Sequence, residues 1–367
     1  MNLSPIPVAI LTGFLGAGKT TLLNFLLKDP FLGNAAVIIN EFGDVGIDHL
    51  LVERADGDNI IEMASGCLCC TIRGDLIDTI HDLLARRGAG TIKAFDRIVI
   101  ETTGLADPAP VLHSVMSEPT LLARCRLEGV ITVVDAANGM ATLDAHAEAV
   151  KQVAVADRIV LTKVDLLSGR EGEDMLFAII ARLRKLNPAA RLLTTHRNEA
   201  TAGRLFTMGL FDPAKKSPGV RNWLAIEAYE TGEKRHRHGH HRHHDVSRHD
   251  AHIRSFSFTE DRPISAAGLE LFLELLKSYH GANMLRMKAI VKVADDPMRP
   301  VVLHGVQHIF HPPVRLEKWP DGDERTRLVF IVKDIDKAMI EGLFRAFTDQ
   351  VTGGAAAFAD KTLSLNR

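Results

Sequence analysis

No apolar run in this sequence approaches the ~18 residues that a membrane-spanning helix needs, so no such helix is expected. The few residues before Ile6 carry no charged and apolar leader with a cleavage site, which makes the cytosol the expected location. Neither sign of charge dominates. Lys and Arg total 44 against 46 Asp and Glu, a formal net charge of −2, so no bulk field draws the chain to nucleic acid or to an anionic membrane, and neither is expected as a partner. Cysteine is scarce, with four in 367 residues, too few for a secreted disulfide framework. Three of the four are packed together as Cys67, Cys69 and Cys70, a clustering that points to metal or redox chemistry.

What is present is enough apolar residue, 46%, for one large domain and a smaller one, each with a core of its own. Residues 6–12 read as a buried strand, followed by a glycine-rich turn and a helix over Thr20 to Leu27. Short apolar strands follow at 36–40, 97–101, 129–134, 158–162 and 191–194, with helical patterns between several of them and a helix at 174–186. Strands alternating with helices predict an α/β domain, residues 1–212, built on a doubly wound, mainly parallel sheet. Eight histidines then crowd into 234–254 among arginines, aspartates and a glycine, a composition that cannot build a core, so 213–252 is expected to be a linker with a histidine-rich tract. Its imidazoles can capture Zn²⁺, Co²⁺ or Ni²⁺ weakly. Residues 253–367 read as a smaller α+β domain with strands at 253–258, 285–293, 301–306 and 327–332 and helices at 266–276 and 337–347.

Gly13-Phe14-Leu15-Gly16-Ala17-Gly18-Lys19-Thr20 fits GxxxxGKT between a strand and a helix, the arrangement of a phosphate loop. Its glycines let the backbone wrap a phosphate with N–H groups and a helix N-terminus aimed at the charge. Lys19 would contact the β and γ phosphates, and the Thr20 hydroxyl would ligate Mg²⁺. The strand Arg97 to Glu101 ends in an acid at the crevice edge and runs into Thr102-Thr103-Gly104. Glu101 can hold Mg²⁺ through a water, orient the attacking water, or merely cap the next turn, while the Gly104 N–H can sense the γ-phosphate. Thr162-Lys163-Val164-Asp165 follows another strand and is close to NKxD, with Thr162 where Asn is usual. A carboxylate at Asp165 accepts from guanine N1 and N2, which adenine cannot match. An unpaired buried acceptor costs about 1 to 3 kcal/mol. The Lys163 stem can stack on the base.

Cys67 and Cys69 would point the same way from an extended segment, and a turn brings Cys70 to the same ion. Thiolates suit Zn²⁺ and Cu⁺, with Co²⁺ also accepted, and a tetrahedral Zn²⁺ needs a fourth ligand. Glu41, His49 and Glu62 are candidates, none at a motif-grade spacing. Three buried small residues, or a redox switch, are the alternatives. Cys125 stands alone in a helix-like stretch and reads as a core residue.

Taken in order, GFLGAGKT, NEFGDVGID, GCLCC, IVIETTGLADP and TKVD resemble the CobW family of metal-handling GTPases, relatives of the urease and hydrogenase maturation GTPases. The resemblance spans nearly the whole chain. It implies a GTP-hydrolysing metallochaperone or insertase that delivers zinc or cobalt to a client metalloprotein. It also implies that residues Gly13 to Thr21, with Gly16, Ala17 and Gly18, hold phosphate and Mg²⁺, that Asp48 approaches the Mg²⁺ shell, that Cys67, Cys69 and Cys70 bind the cargo, and that Lys163 with Asp165 reads the base. The alternative is a metal buffer or storage protein without turnover, against which the nucleotide motifs argue; an RNA-associated GTPase is disfavoured by the balanced charge. Oligomeric state stays open, a homodimer included.

Overall fold

The computed structural model describes residues 5–42, 60–65, 69–196, 199–207, 224 and 252–348, and for 40–42, 60–65 and 69–73 it describes the backbone alone. The chain divides into two compact units, residues 1–210 and 211–367.

The first unit is a seven-stranded sheet. Its strands are β1 (Ile6–Gly13), β2 (Ala35–Phe42), β3 (Ile60–Ser65), β4 (Arg97–Glu101), β5 (Cys125–Asp135), β6 (Arg158–Thr162) and β7 (Arg191–Thr194). They run in the order β3-β2-β4-β1-β5-β6-β7, every adjacent pair parallel. Between them lie α1 (Lys19–Leu27), α2 (Cys69–Ala89), α3 (Ala109–Ser117), α4 (Pro119–Arg124), α5 (Gly139–Ala145), α6 (Ala147–Ala154) and α7 (Gly169–Leu186), with the short α8 (Ala202–Leu205) after β7. Strands covered on both faces lose the polar alternation of an open sheet and become continuously apolar, as Val8 to Leu11 are. On one face Leu22, Leu23 and Leu26 of α1 pack on Ala9, Leu11, Val99, Ile131 and Val133. α2, α3 and α6 pack along β3, β5 and β1 respectively. The doubly wound parallel sheet expected from the sequence is therefore present, with β1 at its centre and the loops that follow β1, β4, β5 and β6 gathered at one edge.

Four local points differ from the sequence reading. Cys125 opens a strand, not a helix, and burial pushes its thiol up to about 11. That strand reaches back past the expected 129–134 because its charges are accommodated in the fold: Glu128, 7% exposed, pairs with Arg97, whose guanidinium also lies over the rings of Phe31 and Phe206. β3 was not anticipated; six residues with Glu62 in their middle give little alternation. Helix α7 starts five residues before the expected 174, its first turn hidden in the glycine-rich, charged Gly169-Arg170-Glu171-Gly172-Glu173.

The second unit is an antiparallel sheet of β8 (Ile253–Glu260), β9 (Met284–Val291), β10 (Val301–Val306), β11 (Ile309–Phe310), β12 (Val314–Arg315) and β13 (Thr326–Lys333). Its order is β11-β10-β9-β13-β8, with β12 paired to β10. Helices α9 (Ala266–His280) and α10 (Lys337–Thr348) cover one face. Phe344 of α10 meets Phe258 at 5.7 Å and Phe272 at 5.1 Å, both edge-on. Such aromatic pairs hold a helix in one orientation as well as burying area.

Candidate functional site

β1 ends at Gly13 with φ 146°, and a Cβ there would stand 2.3 Å from the Val133 carbonyl oxygen of β5. Only glycine lets these strands meet so closely. The chain then turns, Ala17 N–H donating to Phe14 O at 3.2 Å, and passes Gly16 (φ 70°) and Gly18 (φ 93°), both left-handed. α1 begins at Lys19 with no side-chain cap, so its first-turn N–H groups and the positive end of its dipole are left to the loop. Lys19, 8% exposed, folds its ammonium back to donate to Phe14 O at 3.3 Å.

Thr20 Oγ1 donates to Glu101 Oε1 at 2.8 Å, joining the start of α1 to the end of β4. Glu101 is 3% exposed. After it, Thr102 N–H donates to Leu11 O at 2.9 Å, and the chain passes so close to the phosphate loop that a Cβ on Gly104 would sit 2.6 Å from Leu15 N. Gln152 of α6 fixes this passage from below, its Nε2 donating to Gly104 O at 3.2 Å and Ala106 O at 3.1 Å. Sequence reasoning missed Gln152, a buried polar residue beside Lys151 in an amphipathic helix.

At the end of β6 the Thr162 hydroxyl donates to Ala17 O at 2.6 Å, tying this strand to the phosphate loop. Lys163 follows in the left-handed region, φ 56°, and its Nζ reaches Asp135 Oδ2 at 2.8 Å. Asp135, at the end of β5, also accepts from Ala137 N at 2.8 Å, Asn138 N at 3.0 Å and Asn138 Nδ2 at 2.9 Å. Burial pushes its carboxyl upward, but the hydrogen bonds from Asn138 and Lys163 outweigh burial and hold it below the usual carboxylate range. Asp135 and Asn138 were also missed, because their role depends on a lysine 28 positions away.

Two cavities flank the loop. One of about 350 Å³ is lined by Gly18, Thr21 and Phe25 from α1 and its approach, and by Thr162, Lys163 and Asp165 from the end of β6. The other, about 230 Å³, lies between Gly16 and Ala17 of the loop and Asp135, Asn138 and Gln152. The expected phosphate and base residues thus come together: Gly13, Gly16, Ala17, Gly18, Lys19, Thr20, Glu101 and Gly104 at the ends of β1 and β4, and Thr21, Thr162, Lys163 and Asp165 around the larger cavity.

Asp48, His49 and Cys67 lie outside the described residues, as does the histidine tract up to 251. Cys69 and Cys70 are the first two residues of α2. In the sheet, Glu41 of β2 is paired with Ala64 of β3 and Phe42 with Ser65, so the strand entering the cysteine motif ends beside Glu41, while Glu62 pairs with Ile39. Among the described residues no group of three or more His, Cys, Asp or Glu could hold a metal ion, and no helix is long and apolar enough to cross a membrane.

Residues 7–194 match the CobW/HypB/UreG nucleotide-binding domain, and residues 253–348 match the cobalamin synthesis protein cobW C-terminal domain. The chain belongs to the CobW family. Within that family it is 32% identical over 347 residues to the zinc chaperone YjiA of Escherichia coli (strain K12), covering 93% of this chain and 98% of YjiA. It is 33% identical over 380 residues to the zinc chaperone CobW of Pseudomonas aeruginosa, covering 94% and 92% of the two chains. The crystal structure of Zn(II)-bound YjiA GTPase from E. coli resembles it with a TM-score of 0.66 at 28% identity, over 94% of this chain and 99% of that one. The CobW-family nucleotide-binding match runs from β1 through the end of β7, so the phosphate loop, the Thr20–Glu101 pair and the Lys163–Asp135 pair all fall inside it.

Proposed function

We propose that this chain is a GTP-hydrolysing metallochaperone that carries Zn²⁺ at its cysteine motif and passes it to a client metalloprotein. The observation that carries the nucleotide half is the convergence of an uncapped helix start, Lys19 and the Thr20–Glu101 pair beside a cavity that holds Lys163 and Asp165. The phosphates occupy the loop from Gly13 to Thr20, where backbone N–H groups and the Lys19 ammonium, released from Phe14 O, take up their charge. A hydroxyl 2.8 Å from a buried carboxylate is a donor set that fits Mg²⁺: Thr20 would ligate it and Glu101 would act on its hydration shell or on the attacking water. When bound, Mg²⁺ supplies positive charge to the β- and γ-phosphate oxygens. Gly104, held by Gln152, offers its N–H toward the γ-phosphate, and Asp48, the last residue of a switch segment running from Glu41, would approach the Mg²⁺ shell. Asp165 accepts from guanine N1 and N2, with the Lys163 stem against the ring.

For the cargo, Cys67, Cys69 and Cys70 supply thiolates, and the pairing of β2 with β3 supports Glu41 as the fourth ligand. Co²⁺ accepts the same ligands. The names zinc chaperone YjiA and zinc chaperone CobW, borne by relatives aligned over nearly the full chain, support zinc as the cargo and transfer as the task. The test is GTP turnover with and without one equivalent of Zn²⁺ in the wild type, Lys19→Ala and Cys69→Ser. Turnover lost in Lys19→Ala and zinc response lost in Cys69→Ser are expected. Zinc binding with no nucleotide hydrolysis in the wild type would make the protein a buffer.

A further inference from the structure

The aromatic ring of Phe25 has no role in the core of its own helix. On α1, Leu22, Leu23 and Leu26 are buried at 3%, 0% and 0% exposure, whereas Phe25 is 51% exposed. Residues 18, 21, 22 and 25 fall at i, i+3, i+4 and i+7, one stripe of a helix, and all four line the 350 Å³ cavity. The facing wall comes from the end of β6 and the segments that follow β6 and β7, through Thr162, Lys163, Asp165, Thr195 and Ala200. Lys163 borders both cavities, but its ammonium is held at 2.8 Å by Asp135, which borders only the smaller one. The methylene stem of Lys163 is therefore what remains to line the larger cavity, as long cationic side chains do when their head group is engaged elsewhere.

We infer that Phe25 is the second stacking wall of the base site, its ring covering the face of the purine opposite the Lys163 stem. This deepens the nucleotide reading above and rests on it. A purine has two apolar faces and one hydrogen-bonding edge, and the cavity offers a matching set: an aliphatic stem, an aromatic ring and the Asp165 carboxylate. Aromatic stacking is tolerant of which base is bound, because every base has a π-face. Phe25 consequently contributes affinity, and Asp165 contributes discrimination. Binding also covers an aromatic ring that is half in water in the free protein.

The experiment measures dissociation constants of GDP, GTP, xanthosine triphosphate and inorganic tripolyphosphate for the full chain and its variants. Phe25→Ala, at a half-exposed helix position, should weaken GDP and GTP by about 5- to 150-fold, leave tripolyphosphate unchanged and leave the ratio of GTP to xanthosine triphosphate unchanged. Phe25→Tyr should restore wild-type affinity. Phe25→Trp should show a saturable emission change with GDP and none with tripolyphosphate. Unchanged GDP affinity in Phe25→Ala, or an equal loss for tripolyphosphate, overturns the assignment. If Asp165→Asn fails to change the GTP preference while Phe25→Ala still weakens GDP, guanine readout fails and the stacking wall stands. The converse pair of results removes Phe25 and keeps Asp165.

Discussion

Helices α1 and α9 start in opposite ways. α9 opens on Ser265, an extended residue whose Oγ accepts the Gly268 N–H at 3.0 Å, so the helix satisfies its own end. α1 opens on Gly18 in the left-handed region, with no side chain to accept anything. A capped helix is a structural part, complete when folded. An uncapped one whose approach is built from three left-handed or steeply positive glycines leaves donors for an anion brought from outside.

The contrast is broken most severely at Gly13. Gly13→Ala puts a methyl group 2.3 Å from a backbone oxygen at a φ that alanine rarely adopts, and should cost at least about 3 kcal/mol in urea unfolding of the first unit. A loss under about 1 kcal/mol would mean that β1 and β5 can separate freely. Next in size is Lys19→Ala, which should lower GTP turnover by at least about 100-fold while the thermal midpoint of the protein stays close to wild type. Normal turnover in that folded variant would take Lys19 out of the mechanism. On the other helix, Ser265→Ala should cost about 1 kcal/mol of stability in the second unit and leave GDP affinity where it was. A change in nucleotide affinity there would mean the two helix starts are not separate in function.

The smallest effect is one of pH. Because the Asp135 carboxyl is held below its ordinary value of 3.8, the stabilisation it gives through Asn138 and Lys163 is complete above that value and lost as pH falls through the depressed one. Wild type and Asp135→Asn should therefore differ in thermal midpoint by a constant amount from pH 7 to 5 and converge below about pH 3.8. Convergence already at pH 6 would assign the difference to another group.

What the sequence disclosed, it disclosed where neighbours along the chain do the work. The phosphate loop is contiguous from Gly13 to Thr20, so spacing alone reveals it, and Thr162 to Asp165 is recognisable because it follows a strand. The order of the other parallel strands was also legible, since each carries a short apolar run of its own, but β3, with Glu62 in its middle, was not. Asp135, Asn138, Gln152 and Phe25 carry no such signal. Gln152 meets Gly104 across 48 positions, and a single glutamine or phenylalanine in a helix has many ordinary uses. The early start of β5 was hidden for the same reason: Arg126 and Glu128 look like surface residues until Arg97 is seen to answer Glu128. Thr162 in place of the usual asparagine looked like a weakened motif, yet its hydroxyl joins β6 to the loop at Ala17 O.

The strand order also governs how the chain can assemble while it is being made. Among the described strands, β1 leaves the ribosome before the others, but its two neighbours in the sheet are β4, at 97–101, and β5, at 125–135. At about 5 to 20 residues per second, an apolar strand destined for the centre of the sheet waits on the order of ten seconds for both of its partners. During that interval α1 can shield one side of it through Leu22, Leu23 and Leu26, whereas the hydrogen-bonding edges stay open. The contact that fixes the loop's start, Gly13 against Val133, therefore forms only after β5 is made, and the Thr162 tie to Ala17 later still.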